Sequence, residues 1–270
     1  MNSQSAAMTP VARRPGRING IGLWTLYLKE VRRFGKVWSQ TLLAPLVTAL
    51  LFQLVFSIAL GGSERHVGDI PWMLFLAPGL VMMSVMQNAF ANSASSLVIS
   101  KVQGNIVDVL MPPLSPLELA AGYALGGVTR GLAVGAVTAV CLWLFWPVAP
   151  HSIGFLVFHA VMASLMLAVL GIMTGQWSEK FDHMFAITNF IITPLSFLSG
   201  TFYSASHMPE GWRFLVHLNP FYYLMDGFRY GWTGHTDGGL WTGIVVVSGV
   251  TAVLCILCCI LFARGYRLKA

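Results

Sequence analysis

The sequence predicts an all-α integral membrane protein with six transmembrane helices, preceded by an amphipathic helix. Three observations predict it. Hydrophobic residues make up 56% of the 270 and charged residues only 10%, where a soluble domain carries about 25% charged residues. Apolar runs of about twenty residues recur, each long enough to cross a hydrocarbon layer of about 30 Å. The net charge is +6, but the cations gather beside the apolar runs, which is a topology signal and not a nucleic-acid footprint.

In chain order, residues 1–19 are rich in Ser, Ala, Pro and Arg and are expected to be a disordered tail. About 35 polar and basic residues precede the first apolar run, unlike a cleavable signal peptide. Residues 20–270 are expected to form a single membrane domain. From Gly20 to Gln40, Leu23, Leu26, Tyr27, Val31, Phe34 and Trp38 alternate with Lys29, Glu30, Arg32, Arg33 and Lys36. That pattern suits a surface helix whose cations face lipid phosphates. The spans are expected at 41–60, 72–94, 117–146, 153–177, 184–203 and 240–262. The second is dotted near its end with Gln87, Asn88, Asn92 and Ser93, and a polar loop with a short helical core follows from Ser95 to Pro116.

The stretch from Thr193 to Gly234 departs from a plain span. Gly200 and Ser204–Ser206 break the apolar run. Pro209 reads as a helix start, since Pro there lacks only an amide that would be orphaned anyway. Asn219-Pro220 stops this first piece, because a residue preceding Pro avoids the helical region. A second piece carries Phe221, Tyr222, Leu224, Met225 and Phe228 with Asp226 and Arg229. Neither piece can cross a bilayer, and the aromatic content suits two short helices lying in or dipping into one membrane interface. Six spans put both termini on one side. Counting cations with the termini inside gives twelve inside against three outside (Arg65, Arg213 and Arg229), so the termini are expected in the cytoplasm.

Within the third span, Gly127, Gly131 and Gly135 form a small-residue stripe for close helix packing. Arg130 sits in the same span, where a charge is expensive and needs a polar cavity or partner; a substrate or gating contact and a structural capping role both fit. The loop from Ser100 to Pro113 is a candidate docking helix. Catalytic motifs are missing from the sequence: no G-x-x-x-x-G-K-[ST], no H-E-x-x-H and no G-x-S-x-G. Cys255 and Cys258 stand three apart, but no His or carboxylate is near them in sequence, so no metal site and no catalytic residue is expected.

Taken together, these features resemble the permease subunit of type-2 ABC transporters, along most of the chain from Lys29 to Arg267. The resembling stretches are KEVRRFGKVWSQTLLAP at 29–45, FLAPGLVMMSVMQNAFANSASS at 75–96, QGNIVDVLMPPLSP at 103–116 and AGYALGGVTRG at 121–131. The most specific are TPLSFLSGTFYS at 193–204 and LNPFYYLMDGFRYG at 218–231. The resemblance implies that residues 23–38, with Lys29, Glu30, Arg32 and Arg33, are an elbow helix. It implies a coupling helix at about 98–111, with Lys101, Gln103, Gly104, Asn105 and Asp108 meeting the ATPase. Relatives often carry an acid at the position of Val107; here the acid is Asp108. It further implies extracytoplasmic re-entrant helices at 205–231, with Gly200 just ahead of them and Pro209, Asn219, Pro220, Tyr222, Asp226 and Arg229 within them.

The function so implied is that of the permease subunit of an ATP-driven exporter in the bacterial inner membrane, for an amphipathic, lipid-linked, polysaccharide or drug-like substrate. Its expected partners are a pair of ABC ATPase subunits, which hold the ATP and Mg, a second copy of itself, and membrane lipid; this chain is expected to bind no cofactor and no nucleic acid. The alternatives are an ion-coupled secondary transporter, which predicts intramembrane carboxylates and internal repeats, and an intramembrane enzyme using Arg130 with His159, for which no nucleophile or metal set is evident.

Overall fold

The computed structural model describes residues 18–59, 66–68, 70–205 and 208–267. Most of the expected tail, residues 1–17, lies outside the described residues, as do the topology cations Arg13, Arg14, Arg17, Arg65 and Lys269. The chain begins with α1 (Gly20–Gly35) and α2 (Trp38–Ala59), then a two-residue antiparallel pair, β1 (His66–Val67) and β2 (Ile70–Pro71). There follow α3 (Trp72–Val102), α4 (Ile106–Leu110), α5 (Pro116–Phe145) and α6 (Ile153–Trp177). Next come α7 (Phe181–Ile187), a π-helical turn at Thr188–Ile192, and α8 (Thr193–Phe197). The chain closes with α9 (Glu210–Leu218), α10 (Pro220–Thr233) and α11 (Leu240–Ala263).

Five of these helices, α2, α3, α5, α6 and α11, are long and apolar enough to cross a membrane. The fifth expected span behaves differently. Its helix starts at Phe181 rather than Met184, passes through the π turn and ends at Phe197, and Gly200 then turns the chain at φ 80°. Pro194 supplies the reason. It has no N–H to donate one turn back and its ring crowds that carbonyl, and the widened turn ahead of it relieves the crowding. The three segments hold seven, five and five residues, about 25 Å end to end at helical rise.

Helix α3 is the axis of the fold. Nearly every side chain along it is buried, between α5 on one side and α6 on the other. Small residues make this possible. A Cβ on Gly127 would lie 2.5 Å from Ser93 Oγ and 2.7 Å from Ala168 Cβ; one on Gly131 would lie 2.9 Å from Ser164 Oγ and 3.0 Å from Val85 O. Gly135 meets Val85 in the same way. The expected stripe is therefore where α5 presses its backbone onto α3 and α6. Apolar side chains have little reason to leave lipid for one another, so close backbone approach and dispersion hold such helices together.

The second span does not give way to a loop at Ser95. Its helix runs 31 residues to Val102, about 46 Å, and so projects beyond a 30 Å hydrocarbon layer. Serines of the expected loop bond within the helix instead: Ser95 Oγ donates to Asn92 O at 3.2 Å and Ser100 Oγ to Ser96 O at 2.9 Å. The helical piece of that loop shrinks to the five residues of α4. Helix α5 opens with a capping box, Ser115 accepting from Glu118 N–H and Glu118 from Ser115 N–H, with Pro116 in the first turn.

Candidate functional site

At the end of the bundle that holds α1, α4 and the C-termini of α3, α6 and α11, α1 is fastened by a buried ion pair. Glu30 was expected on the charged outer face; it is fully buried. It accepts from Ser96 Oγ at 2.6 Å and from Arg33 at 3.1 and 3.3 Å. Arg33 also donates to Asn92 O at 2.6 Å, Asn92 Oδ1 at 2.9 Å and Ser95 Oγ at 3.1 Å. The cause lies on the facing helix, where Gly122 and Gly126 leave room: a Cβ on Gly126 would stand 2.5 Å from Glu30 Cβ. Lys29, Arg32 and Lys36 remain exposed, as do Ile21 and Trp24. Asn19, placed by expectation in the tail, caps α1 by accepting from Gly22 N–H at 3.0 Å, and its own N–H donates to Glu118 Oε1.

The coupling candidates divide. Lys101 ends α3 and donates to the carbonyls of Gln176 and, at 3.2 Å, Ser178, so it caps α6 rather than facing outward. Gln103, Gly104, Asn105 and Asp108 are exposed, and Gly104 turns the chain at φ 73° with open space around it. Ile106 is the anchor, buried against the core, while Val102, Val107 and Met111 are 54%, 57% and 75% exposed. A cavity of about 680 Å³ separates α4 from α1, with Lys29, Arg33, Gln103, Asn105 and Asp108 at its rim.

At the opposite end, α9 and α10 part company. Helix α9 exposes Trp212, Phe214 and Leu218 and buries Val216, which suits an interface. Helix α10 packs into the bundle against α3, α6 and α11, with ten of its residues buried. Gly227 and Gly231 allow this, the first receiving the His159 ring and the second the backbone of Leu156. Asn219 caps α10, accepting from Phe221 N–H at 3.0 Å, and donates to Leu195 O at 2.8 Å. Arg229 is 1% exposed; it donates to Gly200 O at 2.6 Å and Phe75 O at 3.4 Å, and lies 3.8 Å from the centre of the Phe75 ring. Asp226 accepts from Thr236 Oγ1 at 2.7 Å and from the N–H groups of Asp237 and Gly238 at 2.8 and 3.2 Å. Asp237 in turn accepts from Ser204 Oγ at 2.7 Å and Ala205 N–H at 3.2 Å. Burial, with Asp226 and Asp237 close by, pushes the Tyr222 hydroxyl above its usual range. Pro209 stands exposed at the start of α9.

Arg130 lies at the middle of α5 and donates to Asn88 Oδ1 at 3.2 Å. It lines a cavity of about 290 Å³ between α2, α3 and α5, with Gln40, Thr48, Ser84, Gln87 and Asn88. His159 faces Gly227 and Phe155 O instead, so the two do not form one site. Sequence reasoning missed this assembly and the Asp226–Asp237 pair, although the four-residue spacing of Ser84 and Asn88 put both on one face of their helix. The four cysteines are free, and no group of three or more metal-ligating side chains occurs among the described residues.

A family model described as ABC-2 type transporter matches residues 22–232. The inner membrane transport permease YadH of Escherichia coli strain K12 is 38% identical over 253 residues, which is 93% of this chain and 98% of that protein. Nodulation protein J of Sinorhizobium fredii is 24% identical over 233 residues, 82% of this chain and 84% of that protein. The same protein from Neorhizobium galegae is 22% identical over 225 residues, 82% and 83% of the two chains.

Proposed function

The chain belongs to the ABC-2 type transporter family and is a transport permease; on that premise we propose that it is the membrane subunit of an ATP-driven exporter in the bacterial inner membrane. Both termini lie in the cytoplasm, and α7 to α8 make a sixth, broken crossing. Two copies pair with each other and with two ATPase subunits, which hold the ATP and Mg. The substrate is amphipathic or lipid-linked.

One observation carries this reading. Helix α4 presents exposed Val107, Met111, Asn105 and Asp108 at the tip of α3, and α3 is the most deeply packed helix of the fold. A partner that grips α4 grips the axis around which α5 and α6 are built. Nucleotide binding that prefers one arrangement of that axis over another biases the whole bundle, which is all that coupling requires. The sequence carries no glycine-rich phosphate loop, so the energy source is external to it. α1 rides on the same end, held to α3 through Glu30 and Arg33, and serves as the elbow. α9 and α10 close the far side, where Arg229 ties Gly200 to the start of α3.

The test is co-purification in nanodiscs with candidate ABC ATPase subunits from the same organism, followed by ATP turnover with and without this chain. A two-plus-two complex with altered turnover is expected. A chain that associates with no ATPase overturns the reading.

A further inference from the structure

The coupling path leaves the cavity at Arg130 unused. We propose that this cavity binds an anionic amphiphile, with a phosphate or carboxylate headgroup on Arg130 and the apolar part lying along α2 toward lipid. The inference rests on the transport reading above and assigns its substrate class.

The arginine itself is the first argument. Of the cations packed in the bundle, Arg33 has the Glu30 carboxylate, and Arg229 has two carbonyls and an aromatic face. Arg130 has one neutral contact, Asn88 Oδ1, and its Nε is buried without a partner. A guanidinium at mid-membrane depth is costly, and one left with a single amide oxygen has unspent donors for a missing anion. Asn88 fixes the plane of the group, since its own Nδ2 donates to Ser84 O at 3.1 Å. A fixed, planar fork of donors suits an oxyanion better than a flexible ammonium does.

The walls are the second. Gln40 and Gln87 add amide donors to the lining, and among the described residues no carboxylate belongs to it. The other side is apolar, with Pro45, Phe52, Leu80 and Met83. The volume, about 290 Å³, suits a headgroup and not a whole lipid.

The route is the third. Gln40 stands near the α1 end of α2 and Arg130 halfway along α5, so the cavity runs from one membrane face to mid-depth. Beside it α2 exposes Leu43, Val47, Leu51 and Leu54, each more than half exposed. A headgroup can enter from the leaflet at the α1 end while its chains stay in hydrocarbon. An uncharged solute gains no charge pairing from Arg130, and a soluble anion gains no apolar contact along α2.

The test uses the full-length chain in phosphatidylcholine nanodiscs. The probes are a fluorescent short-chain phosphatidic acid and the matching uncharged diacylglycerol, with inorganic phosphate as competitor. The acid is expected to bind about tenfold tighter than the diacylglycerol. Arg130→Gln removes that preference, Arg130→Lys restores part of it, and Thr48→Trp fills the cavity and blocks the acid with Arg130 in place. Equal binding of the two probes, or an Arg130→Gln protein that melts and binds as wild type does, overturns the proposal. Displacement by inorganic phosphate at probe concentrations identifies a free-anion site and overturns it as well. If Arg130→Gln does not fold, Thr48→Trp decides. Co-purification with the ATPase runs in parallel. A chain that assembles and hydrolyses ATP without charge-selective binding loses only this inference, and one that binds the acid but no ATPase loses the transport role.

Discussion

Replacing Arg33 by Met tests whether α1 is held to the bundle by a buried ion pair. The Glu30 carboxylate is fully buried and Arg33 is its counter-charge. Removing one member of a buried pair costs about 3–5 kcal/mol, because the other is left uncompensated. Arg33 is 25% exposed, so water recovers part of that, and the expected loss is about 2–3 kcal/mol. Glu30→Gln keeps a hydrogen bond to Ser96 and leaves Arg33 its bonds to Asn92 and Ser95, so it should cost only about 1 kcal/mol. The double variant strands no charge and should lose about 1–2 kcal/mol, below the sum of the singles, with a coupling of about 2 kcal/mol. Thermal unfolding in nanodiscs, followed by tryptophan fluorescence, measures all three. Labelling of a cysteine placed at Trp24 reports whether α1 has lifted away. Additivity within about 0.5 kcal/mol refutes the reasoning, as does a loss no larger than that of Lys29→Met at an exposed cation on the same helix.

Three further perturbations follow from the same geometry. Gly131→Ala sets a methyl 2.9 Å from Ser164 Oγ and 3.0 Å from Val85 O; overpacking of about 1–3 kcal/mol should outweigh the roughly 1 kcal/mol gained in helix propensity, and Gly131→Leu should prevent folding, both read by monodispersity after extraction. Replacing Gly104 and Asn105 together by Val and Leu strains a backbone held at φ 73° by about 1–2 kcal/mol and alters the exposed face of α4; export should fall with the fold intact, and unchanged export by the double variant argues against a coupling role. Arg229→Met should cost about 2–4 kcal/mol by orphaning Gly200 O and removing the stack on Phe75; Arg229→Lys should not rescue it, because one ammonium cannot donate to two carbonyls and lie flat on the ring at once, and melting temperatures decide.

Much of this protein is legible in the order of its residues. A low charge content and runs of about twenty apolar residues leave no soluble alternative, since backbone groups in lipid must be satisfied within the segment. Thus α6 fills the stretch from 153 to 177 and α11 the stretch beginning at Leu240. The glycines at 127, 131 and 135 announce a close helix contact through their spacing, and Pro220 after Asn219 marks a helix start through its fixed geometry. What the sequence could not show is which polar groups find one another. Ser96 and Glu30 look solvated in a linear reading; they are buried because glycines on α5 let α1 come near enough for the two to bond to each other. The same holds for α10, whose aromatic and charged residues read as a short helix lying in or dipping into the interface without saying what it would meet there. Its place inside the bundle depends on Arg229 meeting Gly200 and Phe75, the latter 154 positions away in the chain. Periodicity and hydropathy are local sums over one segment, whereas the satisfaction of a buried charge is decided by whatever other segments are packed within about 3 Å of it.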